Sequence, residues 1–341
     1  MKRSSVGSNG WRNVTILLSI AFLVLSFHGN QQHLLSVEFD INDTRRTSVE
    51  ESSLATDAAT VLSVKQGNTV VDDDDDERCN RLIDAFSKQY NDRPLLRRNR
   101  YDQKKYLTGK SKVYDLFEPE AVCFTDERFG SPARYDAFGD GPKFVCGVDL
   151  IAQKNKTDEG CLVYSVGSNN EIDFEVAVHN FLGCETHTFD PTLEEAFIGD
   201  EYATFHPWGI GEEGKESGHS DNRYTARSIE SIMKELGHLD RTLDILKIDC
   251  EHCEYVAMPP LFEAIAAGKL KVNQIQIELH GVQFERVKRL FEAADKAKMK
   301  IFHKERNHWG CDGYRCLEYA LIHEDFLREA NRAAICDQEI D

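Results

Sequence analysis

The chain has 341 residues, 41% of them hydrophobic and 29% charged, which is enough apolar material for one large α/β domain with an appendage or for two small domains. Its 41 basic and 59 acidic residues leave a formal charge of −18. A chain this acidic, with no dense basic stripe, repels phosphate backbones, and nucleic acid is excluded as the expected partner. Ten cysteines are too few for a small disulfide scaffold at this length; they are compatible with an oxidising compartment without requiring one.

Lys2, Arg3 and Arg12 precede an uncharged apolar run over residues 14–27. This is the layout of a secretory signal, and it reads either as an uncleaved signal anchor or as a cleaved signal peptide. In both cases the basic tail, 1–13, stays cytosolic and the rest enters the lumen of the secretory pathway, the Golgi or the endoplasmic reticulum. Two sequons, at Asn42 and Asn155, then face the glycosylation machinery. Residues 28–78 are polar, lack an apolar period and end in the acidic run 72–76. They read as a disordered acidic stem, and the D-x-D within that run reads as solvated charge rather than a metal-binding motif. The domain proper is expected over 79–341, opening with a basic helical stretch, 79–112.

From residue 161 onward, short apolar strands alternate with helical stretches. Strands are expected at 161–166, 185–189, 203–209, 243–248, 273–279, 299–303 and 316–322. Helices are expected at 174–181, 227–236, 260–267 and 284–297. The last two strands lack an intervening helix and read as a closing antiparallel pair. The pattern predicts a Rossmann-like, seven-stranded, mostly parallel sheet with helices on both faces. Ligands of such sheets bind beyond the carboxyl ends of the strands.

The first strand ends in Gly167-Ser168-Asn169, where glycine permits a sharp turn and close approach of a ligand. The turn is neither G-x-G-x-x-G nor a Walker A loop. Asp190 follows the second strand 23 residues after Gly167, near the spacing at which a carboxylate meets a ribose diol. The fourth strand runs into Lys247, Asp249 and Glu251, three charges that alternate along extended chain and have no place in an apolar core. The fifth ends in Glu278 and His280. His280 is a candidate general base because its ordinary pKa lies near neutrality. Cys250, Cys253, Cys311 and Cys316 lack zinc-ribbon spacing; isolated thiols, or lumenal disulfides such as Cys123–Cys146, are the preferred reading, and no metal is expected.

Five passages, in order, resemble the methyltransferase-like group related to the FkbM-type methyltransferases. They are Arg128-Phe129-Gly130 with the segment 139–146; 163–169 with Phe174-Glu175; 188–191; 244–249 with Glu251 and Glu254; and 276–280 with 302–305, Glu318 and Tyr319. The similarity spans about residues 110–325. It implies a class I methyltransferase sheet and S-adenosylmethionine as cofactor. Gly167, Ser168 and Asn169 would cradle the methionine part and Asp190 the ribose, while Asp249, Glu251 and His280 would line the methyl-transfer site. The chain departs from the pattern at Ser165, where an acid is common, and at Glu171, where glycine is common.

The function expected is methylation of a glycan, lipid, small-molecule or protein hydroxyl, with the membrane reached only through the N-terminal segment. The rivals are a catalytically inactive nucleoside-binding or scaffold domain and a type II glycosyltransferase.

Overall fold

The structure, a computed structural model, describes residues 73–91, 110–130, 142–193, 197–219, 222–307, 311 and 314–336. The apolar run 14–27, the Asn42 sequon, the stem up to residue 72 and most of the basic stretch 92–109 lie outside them. Among the described residues no helix is long and apolar enough to cross a membrane.

A seven-stranded sheet forms the centre. In chain order its strands are β3 (Leu162–Val166), β4 (Glu185–Phe189), β5 (Thr204–His206), β8 (Thr242–Ile248), β9 (Lys271–His280), β10 (Met299–Arg306) and β11 (Cys316–His323). Their spatial order is β10-β11-β9-β8-β3-β4-β5. Six strands point the same way, and only β11, inserted between β9 and β10, runs antiparallel to its neighbours. This is the Rossmann-like, mostly parallel sheet that the alternating pattern predicts, including its closing antiparallel pair, and the class I arrangement that the resemblance implies.

Alternation along each strand explains the two cores. Tyr164 and Leu246 join one buried cluster while their neighbours Val163 and Ile245 join another, because successive side chains leave a strand on opposite faces. The first face is covered by α4 (Ile229–Glu235), α5 (Glu254–Ala266) and α6 (Phe284–Lys296). In α6, Phe284, Val287, Leu290, Phe291 and Ala294 form a single apolar stripe. The second face is covered by α2 (Val148–Lys154), α3 (Asp173–Ala177, continued by a wider turn, Val178–Leu182) and α7 (Glu324–Ile335).

A short antiparallel pair, β1 (Asp126–Phe129) with β2 (Lys143–Cys146), lies against this second face, and a second such pair, β6 (Glu216–His219) with β7 (Asn222–Thr225), forms a separate hairpin. Two buried glutamines of β9 hold it there. Gln274 accepts from the Cys146 amide and donates to its carbonyl, and Gln276 donates to the Phe144 carbonyl. Buried amides placed this way satisfy backbone that no strand reaches.

Three boundaries differ from those expected. The acidic run does not end a stem: Asp73 opens a helix, α1 (Asp73–Asn91), so the boundary drawn at residue 78 falls inside it. Carboxylates in a first helical turn face free backbone N–H groups, which favours their inclusion. The helix predicted from residue 260 begins at Glu254, with Pro259 and Pro260 inside it; proline is best tolerated in a first turn, and this one sits later. The third strand shrinks to Thr204–His206.

All ten cysteines pair, as Cys79–Cys336, Cys123–Cys146, Cys161–Cys184, Cys250–Cys253 and Cys311–Cys316. The Cys123–Cys146 pairing agrees with expectation, and the reading of isolated thiols is corrected.

Candidate functional site

The parallel strands end level with one another. Val166 pairs with Phe189 on one side and Ile248 on the other, and Ile248 pairs with Ile277. Gly167, Asp190, Asp249 and Glu278 therefore leave the sheet at one edge, and the candidate residues collect there.

Gly167 turns the chain with φ +76°, and a Cβ there would lie 1.7 Å from the Asp249 carbonyl oxygen. Only glycine permits that approach. Asn169 and Asn170 follow with positive φ, a conformation asparagine tolerates better than most residues. Asp190 pins this turn. One carboxylate oxygen accepts from the amides of Ser168 and Asn169 at 3.1 and 2.8 Å, and the other from the Thr192 amide and hydroxyl. A carboxylate has about four lone-pair positions, and here all four are taken. The spacing that pointed to a ribose ligand is thus used, in this arrangement, to order the glycine turn.

Beside the turn, Ser165 donates its hydroxyl to Glu175, which is fully buried. The other Glu175 oxygen, Oε2, has no partner among the described residues, and neither do the buried hydroxyls of Ser168 and Thr188. Unsatisfied buried polar atoms cost about 1–3 kcal/mol each. Three of them beside a glycine turn form a cradle awaiting polar partners. The methionine end of S-adenosylmethionine carries an ammonium and a carboxylate, so the residues fit the cofactor that the resemblance implies. Glu175 also supplies the acid missing at Ser165.

The acceptor side is built at the ends of β8 and β9. Lys143, from β2, is fully buried and sits 2.5 Å from Glu318 and 3.4 Å from Asp249. Burial alone would lower its pKa, but Glu318, Asp249 and Glu278 outweigh it and raise the value. Lys247 donates to the Gly167 carbonyl at 3.0 Å. Burial favours protonation of Asp249, yet Lys143, Lys247 and His280 more than offset this and hold it below the usual carboxylate range. Glu278 goes the other way. Burial, then Glu318 and Asp249, push it up to about 9. Asp249, Glu278 and His280 approach closely enough to share a metal ion, but the Lys143 ammonium already stands against Asp249.

His280 receives Glu254 at both its backbone amide, 2.8 Å, and its Nδ1, 3.3 Å. Glu251 lies 3.6 Å from its Nε2. Burial alone would lower its pKa; the Glu254 hydrogen bond and the charges of Glu254, Glu278 and Glu251 carry it up to about 9 instead. That shift favours the imidazolium form, in which His280 supplies positive charge rather than a free lone pair. Asp249, held as a carboxylate, keeps some access to solvent, its side chain being 22% exposed.

Glu251 and His252 occupy left-handed backbone inside the four-residue ring closed by Cys250–Cys253. That disulfide, with Cys311–Cys316, removes the zinc alternative, since a disulfide sulfur is no thiolate ligand. On the opposite wall Tyr114 donates to the Gly281 carbonyl at 2.5 Å and meets the Tyr255 hydroxyl at 3.2 Å.

All seven candidate residues lie at this edge, Glu251 reaching His280 from a side chain that is 75% accessible. Sequence reasoning did not single out Lys143 or Glu175 as site residues, although both stand in the passages that carried the resemblance. Tyr114 gave no signal.

The family model for a methyltransferase domain matches residues 62–323. Curated relatives include the human and rat proteins called probable methyltransferase-like protein 24, at 29% identity over 37% of this chain and 28% over 42%. The aligned regions cover 34% and 40% of those proteins, so the chain spans well under half the length of the relatives it matches. Among solved structures it matches a ribosomal protein L11 methylase from Lactobacillus delbrueckii subsp. bulgaricus, with 13% identity over 52% of this chain and 77% of that one, at a TM-score of 0.29. It also matches a putative hemolysin from Streptococcus thermophilus, with 12% identity over 60% of this chain and 76% of that one, at a TM-score of 0.33. With strand order, glycine turn and a profile match over most of its length in agreement, the chain belongs to the methyltransferase-domain family.

Proposed function

We propose that the protein transfers the methyl group of S-adenosylmethionine to a hydroxyl of a glycan, lipid or protein in the lumen of the secretory pathway, held at the membrane by residues 14–27. The observation that carries this reading is the unpartnered Glu175 oxygen beside the Gly167 turn, a buried acceptor suited to the cofactor's ammonium. The sulfonium supplies an activated methyl group with a good leaving group, so the protein's task is mainly alignment. The turn at Gly167, Ser168 and Asn169 holds the methionine end, and Asp190 keeps that turn in shape. Asp249 accepts a hydrogen bond from the acceptor hydroxyl and orients its lone pair. As the new C–O bond forms, the hydroxyl becomes strongly acidic, and even a weak base such as Asp249 takes the proton. His280, already protonated, contributes positive charge and position. The lumenal setting is supported by the pairing of all ten cysteines, which reducing compartments do not sustain.

Calorimetric titration of the full chain with S-adenosylmethionine and S-adenosylhomocysteine tests the reading. Micromolar binding of both supports it, and binding of neither overturns it. A second reading, a domain that binds nucleosides without turnover, is favoured by the filled Asp190 carboxylate. Binding without methyl transfer across hydroxyl-bearing glycans, lipids and proteins would select it.

A further inference from the structure

A second cluster of titratable side chains lies at the other edge of the sheet. Glu185 opens β4, His187 shares its face two residues on, and His238 sits in the turn between α4 and β8. Both histidines are 7% exposed, and Glu185 is the member that reaches solvent. Glu185 Oε1 lies 3.0 Å from His187 Nε2 and 3.4 Å from His238 Nε2, and the three atoms fall within 4.8 Å of one another. In a tetrahedral site with bonds of about 2.0–2.1 Å, ligand atoms stand about 3.3 Å apart. The two separations from Glu185 Oε1 match that spacing, and the two imidazole nitrogens lie within 4.8 Å of each other.

The outer groups match as well. His187 Nδ1 is 2.9 Å from His206 Nε2, and His238 Nδ1 is 2.8 Å from the Tyr164 hydroxyl. With the proton of each imidazole on Nδ1 and donated to these partners, both Nε2 lone pairs are directed at Glu185 Oε1. Metal-binding histidines are held in this way by an outer hydrogen bond. Arg241 takes the other Glu185 oxygen at 2.5 Å and leaves Oε1 to face the histidines. Two imidazoles and one carboxylate suit zinc and its transition-metal neighbours, not magnesium or calcium.

We propose that Glu185, His187 and His238 form a binding site for a divalent transition-metal ion, zinc being the best match, with solvent as the fourth ligand. The ion ties β4 to the turn before β8, at the sheet edge opposite the methyl-transfer site, and so braces the scaffold rather than the chemistry. The cysteines do not compete for it, since all are paired.

The test uses the full chain, stripped with chelator and titrated calorimetrically with Zn2+. The expected result is one equivalent bound, with affinity reduced about tenfold or more by Tyr164→Phe and lost in His187→Ala and in His238→Ala. Absence of stoichiometric binding by the wild-type chain, or unchanged affinity in both histidine variants, overturns the site. Zinc K-edge absorption of the loaded wild-type chain decides the matter should a variant not fold. Two imidazoles with oxygen ligands support the site, whereas one imidazole or none places the ion elsewhere and overturns it.

Discussion

Ser165 and Glu175, ten positions apart, share a buried hydrogen bond in which the serine hydroxyl donates and the second carboxylate oxygen of Glu175 is left over. The pair restores, from the following helix, a carboxylate that the first strand does not carry. A charged hydrogen bond of this kind is worth about 1.5–3 kcal/mol. Glu175→Gln is expected to weaken S-adenosylmethionine binding by roughly 10- to 100-fold with the melting temperature little changed, as read by calorimetry beside a thermal scan. Unchanged affinity would remove Glu175 from the cofactor site.

Asp190→Ala leaves the amides of Ser168, Asn169 and Thr192 without their acceptor. The fold should survive, because the strands retain their own ladders, but the turn should loosen. Faster hydrogen exchange at Ser168 and Asn169, together with loss of cofactor binding, is the expected outcome. Retained protection at those amides would contradict the pinning role.

Lys143 is the sole lysine set between Asp249 and Glu318 among the described residues. Lys143→Met removes the cation and leaves the buried carboxylates facing one another beside Glu278. Breaking a buried pair on one side costs about 3–5 kcal/mol, to be measured by urea denaturation with disulfides intact. The double variant with Glu318→Leu should recover part of that loss, and failure to recover would show that the two residues are not coupled.

Glu278 and His280 both have native pKa values raised to about 9. A group shifted upward stabilises the native state fully below its unfolded value and loses that contribution as pH climbs toward the native one. For Glu278 the window runs from about 4.5 to about 9, and for His280 from about 6.5 to about 9. Stability should therefore fall between pH 6.5 and 9, where both act in the same direction. Glu278→Gln should show a shallower decline over that range, and a slope equal to the wild type would discount the shift.

The strands and their common edge were legible because hydrophobic period and turn chemistry are local. A buried run such as 162–166 announces itself, and so does the glycine after it. Spacing singled out Asp190, yet its partners depend on how the turn folds back over it, and spacing carries no such information. Lys143 meets Asp249 and Glu318 across 106 and 175 residues, a proximity that only the closed sheet creates. The protonation of His280 is set by Glu254, 26 residues earlier in the chain, and no property of the histidine itself foretells it. Cysteine pairing is equally non-local, apart from the short rings closed by Cys250–Cys253 and Cys311–Cys316.

The Cys79–Cys336 bond joins α1 to the end of α7, 257 positions apart. Covalently, everything between them is a macrocycle. A protease that cuts once anywhere within the loop yields pieces that still migrate together until a reductant is added. A cut before Cys79 releases the whole ring in one piece from whatever lies upstream.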